Sequence, residues 1–248
     1  IYLKTNKVFK YSFETKDTSR NGYILLTPSL PANLEYGKLV IIDLKGNKIL
    51  ERQVPGVVSD FRQWNVNGHI RYSYMVHDTS AEQSLALAGS ARKAVILDSA
   101  LNEIKEIRLL PYKDIVINHK QGLDHHDFIM LSDNHYITMA LYVKTVTNIP
   151  VYLIQSPKTK IASPLIQEII NDSVVWQWDG SQYPDLYVNS TMGNKFYDTL
   201  EPQDYAHMNS MFIDPNDSNL ILSLHNNNQV IKVNRRTGNI LWTLGGRN

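Results

Sequence analysis

The sequence predicts an all-β protein and, within that class, a β-propeller of four-stranded antiparallel blades. The first observation is that short apolar, β-branched runs alternate with Gly, Asn, Asp and Ser turn residues along most of the chain, as in successive β-hairpins. The second is that hairpins of two kinds alternate strictly, and an inner hairpin followed by an outer hairpin makes one four-stranded blade. The competing fold is a β-sandwich, which predicts short, even strands without that alternation.

The predicted elements follow one another in a regular order. A first strand lies at residues 22–28 and ends at a proline. Outer hairpins are predicted at residues 38–54, 94–109, 166–178 and 230–244, and inner hairpins at residues 61–74, 125–141 and 205–225. Residues 81–88 form the only stretch that looks helical, and residues 180–202 form a long loop rich in Gly, Pro, Asn, Ser and Tyr. Tryptophans 64, 176, 178 and 242 are expected to pack between blades.

The blade count predicts that this chain is part of a larger propeller. Three inner and outer pairs, with an earlier outer hairpin completed by the first strand, make about four blades. The chain stops directly after an outer strand, and an open propeller leaves an unpaired strand edge. We therefore interpret residues 1–248 as an incomplete β-propeller. Residues 1–36 are either an N-terminal strand segment or the end of a preceding domain.

Composition and charge exclude several classes of function. The 248 residues are 43% hydrophobic and 20% charged, which is enough to bury a sizeable core. The formal net charge is +1 and there is no basic run, so no nucleic-acid partner is expected. No apolar run has the length of a membrane span. The chain has no cysteine, which excludes disulfides, thiolate nucleophiles and cysteine-bound metals.

Histidines lie at equivalent places in two of the inner hairpins. His207 begins the first arm of one hairpin and His225 ends its second arm, so antiparallel pairing brings the two residues together. His125 and His126 begin the first arm of the preceding inner hairpin. This repeated placement predicts one shared site. Histidines 69, 77, 119 and 135 lack such placement and are interpreted as ordinary polar residues that hydrogen-bond to their neighbours.

Several segments resemble the bacterial arylsulfate sulfotransferase family. The specific ones are residues 204–210, 220–223, 229–233 and 237–246, and residues 125–128 and 22–28 are similar to further segments of that family. The resemblance implies a six-bladed propeller that moves a sulfuryl group from a phenolic sulfate donor to a phenol acceptor. It implies a ping-pong route through a covalent sulfohistidine, with no nucleotide donor. We expect no cofactor, no metal and no membrane span, a periplasmic or secreted location, and an assembly that could be a homodimer.

The resemblance and the positions of these residues in the hairpins together indicate site residues. His207 corresponds to one family histidine, and His126, with its neighbour His125 as the alternative, corresponds to another; His207 and His126 are the predicted catalytic residues. His225, Asn209 and His125 are the predicted substrate-binding residues. The family has an arginine at the position of His225, which is a departure that should weaken anion binding or shift the pH optimum. The family's nucleophilic histidine belongs to a later blade, so this chain is expected to lack it.

Two other functions compete with sulfuryl transfer. One is a non-catalytic propeller that binds a ligand or partner on its loop face, where tyrosines 183, 187 and 197 are candidates for an aromatic pocket. The other is a metal-dependent hydrolase that uses His125, His126, Asp127 and His207. We rank the hydrolase last because neighbouring strand residues point to opposite faces, so His125 and His126 should not bind one ion.

Overall fold

The computed structural model describes residues 21–28, 36–77, 92–116, 121–154, 158–198 and 201–246. These residues form four antiparallel sheets, in each of which the strands follow chain order. The first sheet contains β1 (Tyr23–Leu26), β2 (Tyr36–Asp43) and β3 (Lys48–Pro55). The second contains β4 (Val58–Val66), β5 (His69–His77), β6 (Arg92–Leu97) and β7 (Glu103–Ile107).

The third and fourth sheets repeat this four-stranded arrangement. The third contains β8 (Phe128–Ser132), β9 (His135–Val146), β10 (Thr159–Ile170) and β11 (Ser173–Asp179). The fourth contains β12 (Met208–Ile213), β13 (Leu220–Leu224), β14 (Gln229–Val233) and β15 (Ile240–Gly245). Each predicted hairpin is confirmed, and the all-β class with propeller-type blades is confirmed with it.

Helical structure is scarce in the described residues. A helix, α1 (Pro184–Val188), and three short 3₁₀ turns, Val151–Leu153, Gly180–Gln182 and His225–Asn227, are present. None of these helices is long and apolar enough to cross a membrane. The predicted helical stretch at residues 81–88 lies outside the described residues.

Consecutive sheets pack face to face through apolar clusters. One cluster joins the first and second sheets, a second joins the second and third, and the largest joins the third and fourth. The first strand of the second sheet, β4, contacts β1 and β2 of the first sheet and β8, the first strand of the third sheet. Within the described ranges, no apolar cluster joins the first sheet to the fourth.

The fourth sheet has one buried and one open apolar face. Met211, Leu222 and Ile231 are paired across the sheet and face the third sheet. On the opposite face Phe212 is 58% exposed and Trp242 is 41% exposed. Trp178 is buried, as predicted for a tryptophan that packs between blades, whereas Trp242 lies on a face that packs against no other sheet in the described residues, so the prediction for Trp242 stays a prediction.

The third blade and the loop that follows it differ from the sequence prediction. β9 and β10 are each twelve residues long and pair over their whole length, whereas much shorter arms were predicted. Lys144 and Pro164 interrupt the apolar pattern in the extended parts, which explains why the strands looked short. α1 falls inside the predicted loop; Pro184 opens it, and its first turn carries Asp185, two features that favour a helix start.

Candidate active site

His126 is held by the carboxylate of Asp124 in the segment that leads into β8. The Asp124 Oδ1 atom accepts the backbone N–H of His126 at 2.9 Å and lies 2.6 Å from the Nδ1 atom of the same residue. Asp124 is only 1% exposed, so this contact is protected from water. Because an ionised carboxylate only accepts hydrogen bonds, Nδ1 carries the proton and Nε2 is the nitrogen left for other partners.

His207 is held in the same way in the segment that leads into β12. Asp204 accepts the backbone N–H of His207 at 3.0 Å through Oδ1 and lies 2.5 Å from Nδ1 through Oδ2. The hydrogen bond to Asp204 raises the pKa of His207, and partial burial opposes that rise only in part. The backbone of His207 has a φ of 47°, a left-handed conformation that is uncommon for residues with a side chain. The carboxylate of Asp204 thus stabilises the cationic form of His207 relative to a histidine in water.

His225 comes next to His207 through the pairing of β12 with β13. The backbone N–H of His225 donates to the carbonyl oxygen of His207 at 3.0 Å, and that of Asn226 donates to Ala206 at 3.0 Å. The predicted meeting of His207 and His225 is thus confirmed. The Nδ1 atom of His225 lies 2.8 Å from Oδ1 of Asn226, whose Nδ2 donates to the backbone oxygen of Asp204 at 2.5 Å.

The four histidines predicted to share a site form a continuous row of rings. The ring centroids of His125 and His126 are 3.9 Å apart, those of His126 and His207 are 5.4 Å apart, and those of His207 and His225 are 5.6 Å apart. The row joins the third blade to the fourth. Three of its members are anchored at Nδ1, so the nitrogens left for a substrate are their Nε2 atoms.

The neighbouring residues His125 and His126 lie on the same side of the chain, contrary to the argument from strand alternation. Residues 124–127 precede β8 and form no ladder, so alternation does not apply to them. One ligand atom from each of Asp124, His125 and His126 lies within 4.8 Å of the other two, a set that could hold a metal ion. The second oxygen of Asp124 is buried and has no hydrogen-bond partner among the described residues. Histidine nitrogens and a carboxylate suit a transition metal such as Zn²⁺.

Asp127 does not join this set, because its carboxylate links blades instead. Its Oδ1 atom lies 2.7 Å from Nη1 of Arg62 on β4, and its Oδ2 atom accepts the backbone N–H of Met211 on β12 at 2.6 Å. Arg62 also pairs with Asp60, which sits at a bulge in β4 with a φ of 50°. Burial raises the pKa of Asp60 to about 7, although Arg62 opposes the rise.

The remaining predicted residues divide into site and core positions. Asn209 is half-buried at the bulge in β12, two residues after His207. Tyr187 is buried in the largest apolar cluster, and Tyr183 stacks on Trp178 and donates from its hydroxyl to Gly238. These two tyrosines are packing residues, so the suggestion that they line a pocket is wrong. Tyr197 is exposed.

Sequence reasoning missed the residues that hold the imidazoles, which are Asp124, Asp204 and Asn226. A signal for the two aspartates was present, since each precedes its histidine by two or three residues and both histidines precede an inner strand. The contribution of Asn226 depends on the 3₁₀ turn after β13, which has no clear sequence pattern.

Comparison with known proteins adds one match. The family model described as Arylsulfotransferase (ASST) matches residues 65–248, which include all four histidines of the row. No curated protein matches the chain.

Proposed function

Because the chain belongs to the arylsulfotransferase family, we propose that it moves a sulfuryl group from a phenolic sulfate ester to a phenol by a ping-pong route. In this route a histidine carries the sulfuryl group between donor and acceptor, and no nucleotide sulfate takes part. The observation that supports this proposal most strongly is the row of imidazoles in which three rings are anchored at Nδ1 and keep Nε2 for the substrate.

Sulfuryl transfer, like phosphoryl transfer, spreads negative charge over the equatorial oxygens of the transferred group. Catalysis then depends on positioned donors and on electrostatic stabilisation. His207 is suited to this task, because Asp204 favours its cation and holds the ring by two contacts. We assign to His207 and His126 the contacts with the sulfuryl oxygens and the bridging oxygen.

The binding residues complete the proposed site. The ring of His125 contacts that of His126, with centroids 3.9 Å apart and planes inclined by 37°. Asn209 is half-buried at the bulge, two residues after His207, and we assign to its amide a contact with a polar group of the substrate. The resemblance assigns the nucleophilic histidine to none of these residues, so the proposal places the sulfohistidine on another segment of the full-length protein.

The test is a transfer assay with the full-length protein. Incubation with p-nitrophenyl sulfate and phenol, in the presence of a chelator and without a nucleotide, should release p-nitrophenol and form phenyl sulfate. His207→Ala should abolish both products and leave the circular dichroism spectrum unchanged. His69→Ala is the matched control, because His69 is an exposed residue at the β4–β5 turn. Absence of release from the wild-type protein would instead favour a non-catalytic binding propeller.

A metal-dependent hydrolase is the second candidate, supported by the Asp124, His125 and His126 cluster. That candidate predicts release of p-nitrophenol only after addition of a divalent transition metal, and formation of inorganic sulfate instead of phenyl sulfate. Quantifying both sulfur products with and without the chelator separates the two functions.

A further inference from the structure

The three anchored imidazoles differ in the partner that holds them. His126 and His207 are anchored by carboxylates, whereas His225 is anchored by the uncharged amide of Asn226. The orientation of that amide is fixed, because its Nδ2 donates to the backbone oxygen of Asp204 at 2.5 Å. The atom that faces His225 is therefore the amide oxygen, which can only accept a hydrogen bond. His225 must donate to it from Nδ1.

This anchoring determines what neutral His225 offers to a substrate. With the proton on Nδ1, the Nε2 atom of the neutral ring is a hydrogen-bond acceptor and a base. An arginine, which the family resemblance leads us to expect at this position, has donors only. The neighbouring His207, whose ring centroid is 5.6 Å away, has the carboxylate that favours a cation. The pair thus offers one donor for an anion and one acceptor for a hydroxyl group.

The turn that carries His225 is held firmly on both sides. The backbone oxygen of Asn226 accepts the N–H of Thr191 at 2.7 Å and its hydroxyl at 2.8 Å. The side chain of Asn227 is buried and donates to the oxygen of Leu186 at 2.7 Å. A ring supported in this way keeps its direction when the substrate changes, as a catalytic base requires.

We propose that His225 is the base that receives the proton of the acceptor phenol, and that Asn226 is the positioning residue that fixes its tautomer. This inference rests on the proposed sulfuryl transfer. The phenol proton moves to Nε2 of His225, and the phenol oxygen forms a bond to sulfur. The bond from sulfur to the carrier histidine breaks, and its electron pair returns to that histidine nitrogen. In the donor half of the next turnover, His225 gives this proton to the departing phenolate, which returns the ring to its neutral form.

The first test separates the two halves of the reaction with His225→Gln, which keeps an acceptor but cannot take a proton. Donor release, measured as the burst of p-nitrophenol on mixing with p-nitrophenyl sulfate in the absence of acceptor, should change less than about threefold in rate, because that leaving group needs no proton. Transfer to phenol should fall about 100-fold or more, the usual effect of removing a general base. The deficit should shrink for acceptor phenols that are already ionised at the assay pH.

His225→Arg should slow transfer to phenol as much as His225→Gln does. His69→Gln is the matched control and should leave both donor release and transfer unchanged. An equal loss in donor release and in transfer to every acceptor would show a purely structural contribution and overturn the inference. Faster transfer by His225→Arg would overturn it as well, because position 225 would then act as an anion donor. If wild-type protein released no p-nitrophenol, the proposed sulfuryl transfer would fail first.

The second test does not depend on turnover. In ¹⁵N-labelled wild-type protein at a pH where the ring is neutral, the signals of His225 should show a proton on Nδ1 and none on Nε2. Asn226→Ala should allow the two tautomers to mix and should slow transfer to phenol without a comparable loss of donor release. A proton found on Nε2 in the wild-type protein would exclude His225 as the base.

Discussion

Replacing Asp204 by asparagine tests whether His207 carries a charge in the folded protein. Asparagine retains an acceptor for the backbone N–H of His207 but presents no charge to Nδ1, which lies 2.5 Å from the carboxylate in the wild type. A hydrogen bond to a charged group contributes about 1.5–3 kcal/mol. The two side chains are 30% and 18% exposed, so water screens part of this energy. We expect Asp204→Asn to cost about 1–2 kcal/mol of unfolding free energy.

The loss should depend on pH in a defined direction. The pKa of His207 is raised above its ordinary value of 6.5 by the hydrogen bond to Asp204. The contribution of the pair is therefore fully present below pH 6.5 and is lost as the pH rises through the folded-state pKa. The difference in unfolding free energy between wild type and variant should be largest near pH 5.5 and should shrink toward pH 9. The pH at which turnover falls should also move down in the variant.

Chemical denaturation at several pH values measures this difference. Thermal unfolding is a second measurement, and for a chain of this size the same loss corresponds to a decrease in Tm of about 2–8 °C at pH 5.5. The control is Asp172→Asn, which removes an exposed carboxylate that pairs with Lys105 on the surface and should have little effect. If the deficit of Asp204→Asn is the same at pH 5.5 and at pH 9, His207 does not hold a charge and the argument is wrong.

Three further substitutions test the contacts between blades and the charge near the row. Asp127→Asn keeps one acceptor oxygen, which cannot serve both Arg62 and the backbone N–H of Met211, so the unfolding free energy measured in urea should fall by about 3 kcal/mol. A loss under about 1 kcal/mol would contradict the proposed link between blades. Burial would raise the pKa of Glu168, but hydrogen bonds, first of all those from Arg235, lower it below its ordinary value of 4.5. The Glu168–Arg235 pair therefore stabilises the folded protein above pH 4.5, and this contribution disappears as the pH falls through the folded-state pKa. Glu168→Gln should thus lose about 2 kcal/mol at pH 7 and much less near pH 3, and an equal loss at both would refute this. Between its unfolded pKa of 3.8 and its folded pKa of about 7, Asp60 binds a proton only when folded, so wild-type stability falls as pH rises through that range. The unfolding free energy of Asp60→Asn should therefore increase relative to that of the wild type between pH 5 and pH 8. Calorimetry at these two pH values measures this difference, and an unchanged difference would refute the reasoning.

The hairpins were predictable because their signals are local. Turn residues such as Asn67-Gly68 fix where a chain reverses, and the register of an antiparallel pair then fixes which residues meet. The approach of His225 to His207 follows from this logic alone. The lengths of β9 and β10 did not follow, since Pro164 and the polar residues near it are tolerated only because neighbouring strands and sheets cover them.

The details of the site depended on structure that sequence patterns do not encode. The ring contact between His125 and His126 arises in a segment without a ladder, where the backbone turns around the buried carboxylate of Asp124. The burial of Tyr187 against Tyr205 likewise depends on how the long loop folds back onto the third and fourth sheets. Such placements are set by tertiary contacts, and periodicity carries no record of them.

The left-handed backbone at His207 has a consequence for how this position changes over evolutionary time. A residue with a side chain at a φ of 47° carries a strain on the order of 1 kcal/mol, which glycine or asparagine largely avoids. The hydrogen bond of His207 to Asp204, to which about 1–2 kcal/mol is assigned above, offsets this strain only while the carboxylate is present. Lineages that have lost Asp204 should therefore drift to glycine or asparagine at position 207, while lineages that keep Asp204 keep histidine. A laboratory selection for thermal stability that starts from Asp204→Asn, without an activity screen, should recover the same two replacements.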